Sequence, residues 1–130
     1  MWDKEYGGYY WQVRRNGAPV DVIKKTVAQC YALYVFSDIY LMVGEGQWLD
    51  EAKRAYSVLQ AYCYDPVAGG YRTEFTRDWN YPADLKVNST WDGGIHMHVL
   101  LGMAKFYKSA RSQAVRNWLE LSYRIVVERG

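Results

Sequence analysis

Two stretches of this chain are apolar around nearly the whole circumference of a helix, and each is followed by a stretch that is apolar on one side only. From Asp21, a helix N-cap residue type, to Gly44, a C-cap residue type, no proline or glycine interrupts the sequence, so the spacing predicts a helix of about six turns. Its second half, with Cys30, Leu33, Val35, Phe36, Ile39 and Met42, leaves almost no polar face. Such a helix demands cover on most sides. The following segment, about Gln47 to Tyr64, instead carries one stripe (Trp48, Leu49, Ala52, Ala55, Tyr56, Leu59, Cys63) opposite Asp50, Lys53 and Arg54. It reads as an outer helix laid over the first, ended by Asp65-Pro66.

The order then recurs. A helix from about Asp92 to Ser109 is apolar nearly all round, and one from about Ser112 to Glu128 has a single stripe through Val115, Trp118, Leu119, Ser122, Ile125 and Val126. The loops recur too. Gly69-Gly70-Tyr71 lies 62 positions after Gly7-Gly8-Tyr9, and Arg77 lies 62 after Arg15. The first loop runs through aromatic residues into Asn16-Gly17, a strong hairpin signal, so short β-hairpin-like loops are expected to open each helix pair. These patterns predict one all-α domain over residues 1–130, built from two helical hairpins, with repeat units at about 7–64 and 69–128. Inner helices covered by outer ones describe consecutive hairpins of an α/α toroid. Two hairpins cannot wrap two inner helices completely, so apolar surface should stay exposed or be covered by a homo-oligomer; four helices per chain would complete a twelve-helix ring in a trimer.

Charge and composition narrow the partners. Sixteen basic and 14 acidic residues are scattered without a basic run, which argues against nucleic acid. No membrane span is expected, and Met1-Trp2-Asp3-Lys4-Glu5 lacks the regions of a signal peptide, so the chain reads as soluble and cytoplasmic. Cys30 and Cys63 sit within helical apolar patterns and are expected to be buried free thiols. Thirteen Tyr and six Trp against three Phe is unusual, and two readings stand. Flat rings with polar edges suit stacking on the C–H faces of sugars, and the same rings fill the space between helices.

The string Gly7-Gly8-Tyr9-Tyr10-Trp11, then Gly17, Pro19, Asp21 and Lys24, then Gln29-Cys30-Tyr31-Ala32-Leu33-Tyr34, resembles the N-acylglucosamine 2-epimerase family in order and spacing. So do Gly69-Gly70-Tyr71, Glu74-Phe75, Arg77-Asp78-Trp79 and the His96-Met97-His98 helix opening. The resemblance implies a partial (α/α)6 barrel, the N-terminal portion of a longer one, acting on a small sugar by epimerisation or isomerisation at C2. It implies His98 as a catalytic group and Lys24, Gln29, Tyr31, Asp78, Trp79 and His96 as substrate-binding positions, with no metal and no cofactor.

The chemistry sets its own requirements. Inverting C2 of an open-chain aldose removes a proton α to the carbonyl and returns one from the opposite face, so two acid/base groups must flank the carbon. Histidine suits this near neutrality. His96 and His98 are two positions apart on a helix, hence roughly 200° apart around it, and cannot both serve one carbon. The same spacing is poor for a metal site with Asp92. Structural roles stand beside the functional ones: Lys24 can snorkel, Asp78 can cap its loop, and either imidazole can satisfy a backbone group. The sequence also departs from the resemblance, with Tyr31, Gly94 and Leu101 where arginine, asparagine and glutamate are common in the family. These departures favour a noncatalytic carbohydrate-binding or interaction fragment as the alternative, and the resemblance places the family's usual pair of proton-transfer histidines beyond these 130 residues. A glycosidase would need converging carboxylates, for which only Asp78 and Asp92 are near.

Overall fold

The computed structural model describes residues 1–81 and 93–129. The elements run β1 (Lys24–Lys25), α1 (Thr26–Val43), α2 (Gly46–Val58) continued by one π-helical turn (Leu59–Cys63), β2 (Tyr64–Asp65), β3 (Gly70–Tyr71), β4 (Glu74–Phe75), α3 (Gly93–Ser109) and α4 (Gln113–Arg129). Helices α1 and α3 pack on each other, α2 covers α1, and α4 covers α3. This is the predicted layering of two inner and two outer helices. Gly102 permits the close approach of α3 to α1, since a β-carbon there would meet Leu33 Cδ2 at 3.2 Å. Leu33, Leu59, Phe75, Val99, Met103 and Phe106 are buried in one shared core. Burial of a side chain of that size contributes about 1.5–3 kcal/mol, so this shared core is what joins the two hairpins.

The boundaries differ from expectation in three places. Helix α1 starts at Thr26 rather than Asp21, because Lys24 and Lys25 pair antiparallel with Phe75 and Glu74, and Asp21 turns its own carboxylate onto the Ile23 amide at 3.1 Å. Its other end is as read: Gly44 adopts φ +74° and donates its amide to Tyr40 O at 2.8 Å. The second helix leaves α geometry after Val58 and closes with a π turn. The expected third-helix start at Asp92, and with it that residue's role, lies outside the described residues.

Helix α1 is also long and apolar enough, by length and composition, to cross a membrane, which corrects the expectation that no stretch approaches one. Here it is an inner helix with polar Thr26, Gln29 and Ser37 buried against protein. Part of its apolar surface remains open: Tyr31 and Val35 are each 43% exposed and Met42 77%. Cys30 and Cys63 are buried and free, and burial pushes the Cys63 thiol up to about 12.

The 62-residue echo corresponds to repeated geometry and extends further than the glycines. Trp2 bridges Tyr9 with ring centroids 5.1 Å apart, and Tyr64 pairs with Tyr71 at 5.2 Å. Asp3 Oδ1 accepts the amides of Glu5 and Tyr6, and Asp65 Oδ1 those of Val67 and Ala68. The Gly7 amide donates to Asp3 O at 2.9 Å and the Gly69 amide to Asp65 O at 2.8 Å, with both glycines at positive φ. Each loop is then held by the fourth residue of an inner helix. Gln29 Oε1 accepts the Tyr9 amide at 2.8 Å while its Nε2 donates to Tyr9 O, and His96 Nε2 accepts the Tyr71 amide at 3.0 Å. Removing the His96 acceptor strands a buried amide, so His96→Ala should cost about 2 kcal/mol in chemical denaturation, and His96→Gln, which supplies the acceptor of the first loop, should recover most of it. Equal losses for the two variants would contradict this role.

Candidate functional site

Tyr31 and His98 are the sixth residues of α1 and α3, so they occupy the same place in the two inner helices. One turn of 100° per residue carries each of them well away from the buried fourth residue. His98 is half-buried, and its ring meets the Tyr31 ring edge-on at 5.2 Å and 78°. Trp11 stacks on Tyr31 at 6.0 Å and 22°, and Lys25 Nζ lies 5.5 Å from the Trp11 ring while pairing with Glu74 at 3.4 Å. The result is a continuous aromatic wall, cationic at one end and bearing an imidazole at the other. A cleft of about 270 Å³ adjoins it, lined by Tyr9, Tyr10, Trp11, Ala28, Tyr31 and Val35 among others. Such a wall can pack against the apolar face of a sugar, and a half-exposed imidazole can take up or return a proton.

The remaining sequence-derived positions are placed differently. Lys24 is fully buried, with Nζ 2.9 Å from Asp3 Oδ2, donating also to Gly7 O at 2.7 Å and Arg77 O at 3.1 Å, between the rings of Tyr10 and Trp79. Arg77 reaches the same carboxylate through Nε at 2.9 Å and Nη2 at 3.1 Å. Burial acts to raise the Asp3 pKa, and hydrogen bonds from Arg77 and Lys24 outweigh it, holding this carboxyl far below the usual range. Lys24 is pulled down by burial against the opposing pull of Asp3. Gln29 and His96 are buried in the loop contacts described above. All three side chains are engaged by the protein itself.

Trp79 is 8% exposed and adopts φ +68°. One face stacks on Tyr62 at 5.1 Å and 8°, and Nε1 donates to the carbonyls of Tyr6 and Gly7 at 3.0 and 3.1 Å. The ring lies over Gly8, where a β-carbon would fall 2.3 Å from Cζ2, so Gly8 is a slot for Trp79. Asp78 is exposed, and the Thr76 hydroxyl, donating to its Oδ1 at 2.5 Å, holds the carboxyl below its ordinary value. Among the described residues no group of three or more His, Cys, Asp or Glu could hold a metal ion. The structure thus brings His98 and Tyr31 together and adds Trp11 and Lys25, which sequence reasoning did not select. It also reveals Asp3, whose signal was its place 62 positions before Asp65.

Inner helices sheathed by outer ones, with loops gathered at one end, define an (α/α)6 barrel segment. The cellobiose 2-epimerase from Bacillus thermoamylovorans superposes with TM-score 0.87 at 23% identity, over 95% of this chain and 33% of that one. A family 76 glycoside hydrolase from a bovine Bacteroides thetaiotaomicron strain superposes at 0.72 and 20% identity, over 98% and 27%. At these identities the likeness establishes the fold. Sequence establishes the family: the family model for N-acylglucosamine 2-epimerase matches residues 1–128, and the chain belongs to that family. The cellobiose 2-epimerase of Bacteroides fragilis is 29% identical over 113 residues, covering 83% of this chain and 29% of that protein. The chain spans about a third of the length of the curated relatives it matches.

The Asp3 network carries a test. Asp3→Asn leaves a buried ammonium without its anion and should cost about 3 kcal/mol in urea unfolding. Because the folded pKa of Asp3 lies below its unfolded value near ~4, its contribution is complete above that pH and is lost as pH falls through and below it. The wild-type advantage over Asp3→Asn should therefore shrink with acidification in that range. A constant difference from pH 7 down to pH 2 would contradict the assignment.

Proposed function

We propose that this chain is part of a carbohydrate epimerase or isomerase that acts at C2 of a small sugar, with His98 as a proton-transfer group. Family membership supports the reaction class, and the Trp11–Tyr31–His98 wall is the observation that carries the site. In this reading the sugar packs its C–H face on Trp11 and Tyr31. His98 takes the C2 proton, the electron pair of the broken C–H bond becomes the C1–C2 double bond, and the π pair of the carbonyl moves onto its oxygen to give an enediolate, to which the Tyr31 hydroxyl would donate. Lys24, Gln29, His96 and Trp79 act as positioning residues that hold the loops around the wall, and Asp78 lies at the rim. The names of the relatives point to cellobiose and other glucose- or mannose-type sugars as candidates.

A second reading, sugar binding without turnover, is favoured by one observation: a single histidine of this chain faces the wall, whereas C2 inversion needs two acid/base groups. Incubation with glucose, mannose, N-acetylglucosamine and cellobiose in heavy water separates the two by NMR. The enzyme reading expects exchange of the C2 proton that falls about a hundredfold or more in His98→Ala while saturable quenching of tryptophan fluorescence persists. Quenching without exchange supports the binding reading. Neither signal with any of these sugars overturns both.

A further inference from the structure

We propose, on the reading of the Trp11–Tyr31–His98 wall as the sugar site, that Glu74 is a specificity-determining residue there: by cancelling the charge of Lys25 it fits the wall to uncharged sugars and turns anionic ones away. Strand register makes the pair. Lys25 stands directly opposite Glu74 in the β1–β4 pairing, and the Thr26 amide extends that pairing by donating to Thr73 O at 3.0 Å. Opposite residues of an antiparallel pair share a face, so the two side chains meet, with Lys25 Nζ 3.4 Å from Glu74 Oε1. Successive strand residues point to opposite faces, which sends Lys24 inward to Asp3 and leaves Lys25 to the wall, 5.5 Å from the Trp11 ring. The ammonium at this end is therefore not a free charge.

The far end of the wall is balanced in the same way. Asp38 lies seven residues after Tyr31 and Lys105 seven after His98, so both return to roughly the wall's side of their helices, two turns further along. Lys105 Nζ pairs with Asp38 at 3.2 Å. None of the residues lining the adjoining cleft is Asp, Glu, Lys or Arg. At the loop junction, Asp3 and Glu5 match Lys24 and Arg77. An anionic sugar on the wall would give up part of its hydration and meet no unmatched cation among these pairs, with the Glu74 carboxylate beside the ammonium nearest to it. A neutral sugar asks only for flat rings and hydrogen bonds, which Trp11, Tyr31 and His98 offer.

Charge cancellation, rather than the shape of the side chain, is what Glu74 contributes. Glu74→Gln keeps the size and leaves Lys25 uncompensated, Lys25→Met does the converse, and the double variant is neutral again. One unit charge released at the end of the wall, acting through a mostly aqueous dielectric, changes the affinity for a monoanion about fivefold.

Tryptophan fluorescence titrations with glucose and with glucuronate, which carries a carboxylate in place of the C6 hydroxymethyl group, read the effect as a ratio of affinities. Wild type should prefer glucose. Glu74→Gln should move the ratio about fivefold toward glucuronate at low ionic strength, Lys25→Met should move it the other way, and the double variant should return it to the wild-type value. In about 1 M salt, where the screening length is about 3 Å, the variants should converge, an outcome that a purely structural role for the pair does not produce. If Glu74→Gln loses its helical circular dichroism, the opposite shift in Lys25→Met decides. A glucuronate preference in wild type, or a ratio that these substitutions leave unchanged while glucose still binds, overturns the assignment and leaves the proposed function standing. Binding of neither sugar by wild type overturns the wall as a sugar site and the assignment with it.

Discussion

The amides of Tyr9 and Tyr71 are buried backbone donors in loops that have almost no ladder of their own, and the structure depends on what accepts from them. Burying such a group without a partner costs about 1–3 kcal/mol. The partners come from the fourth residue of each inner helix, Gln29 for one loop and His96 for the other. Because the acceptor sits on a rigid helix, the loop that wraps the end of that helix is fixed relative to its axis. The sixth residue of the same helix, Tyr31 or His98, then emerges at a determined angle from the acceptor. One hydrogen bond therefore links the packing of the loops to the position of the half-exposed imidazole of His98.

Around that constraint the rest is arranged by charge and shape. The carboxylate of Asp3 gathers Lys24 and Arg77, which ties the N-terminal loop, the start of α1 and the second loop to one point. An ion pair so deeply buried gives little net stability by itself, and its value lies in fixing three segments in one register. Trp79 closes the junction from the side by filling the slot over Gly8. The aromatic excess thus divides by location: Trp79, Tyr9 and Tyr71 are packing, whereas Trp11 and Tyr31 present open faces to the wall.

Much of this was legible in the sequence. All-round apolar helices alternating with one-sided ones gave the inner and outer layers, because helical period and burial are coupled directly. The Gly-Gly-Tyr echo marked the loops, since positive φ at Gly7 and Gly69 restricts those positions largely to glycine. The His96 and His98 spacing put the two imidazoles on different sides of one helix, and the fold shows which of them is buried. What sequence could not supply was long-range. The start of α1 at Thr26 follows from pairing with Glu74 and Phe75, and the burial of Lys24 follows from a carboxylate 21 residues away. Trp11 and Lys25 join the wall only once the N-terminal loop is folded back onto α1.

The central claim is that helix-borne side chains hold the loop amides as firmly as the core holds the helices. Native-state hydrogen exchange followed by NMR reads this at single residues. The amides of Tyr9 and Tyr71 should exchange with free energies close to that of global unfolding, alongside core amides such as those of Leu33 and Val99. Exchange of these two amides at rates typical of mobile loops, while the helices remain protected, would contradict the account.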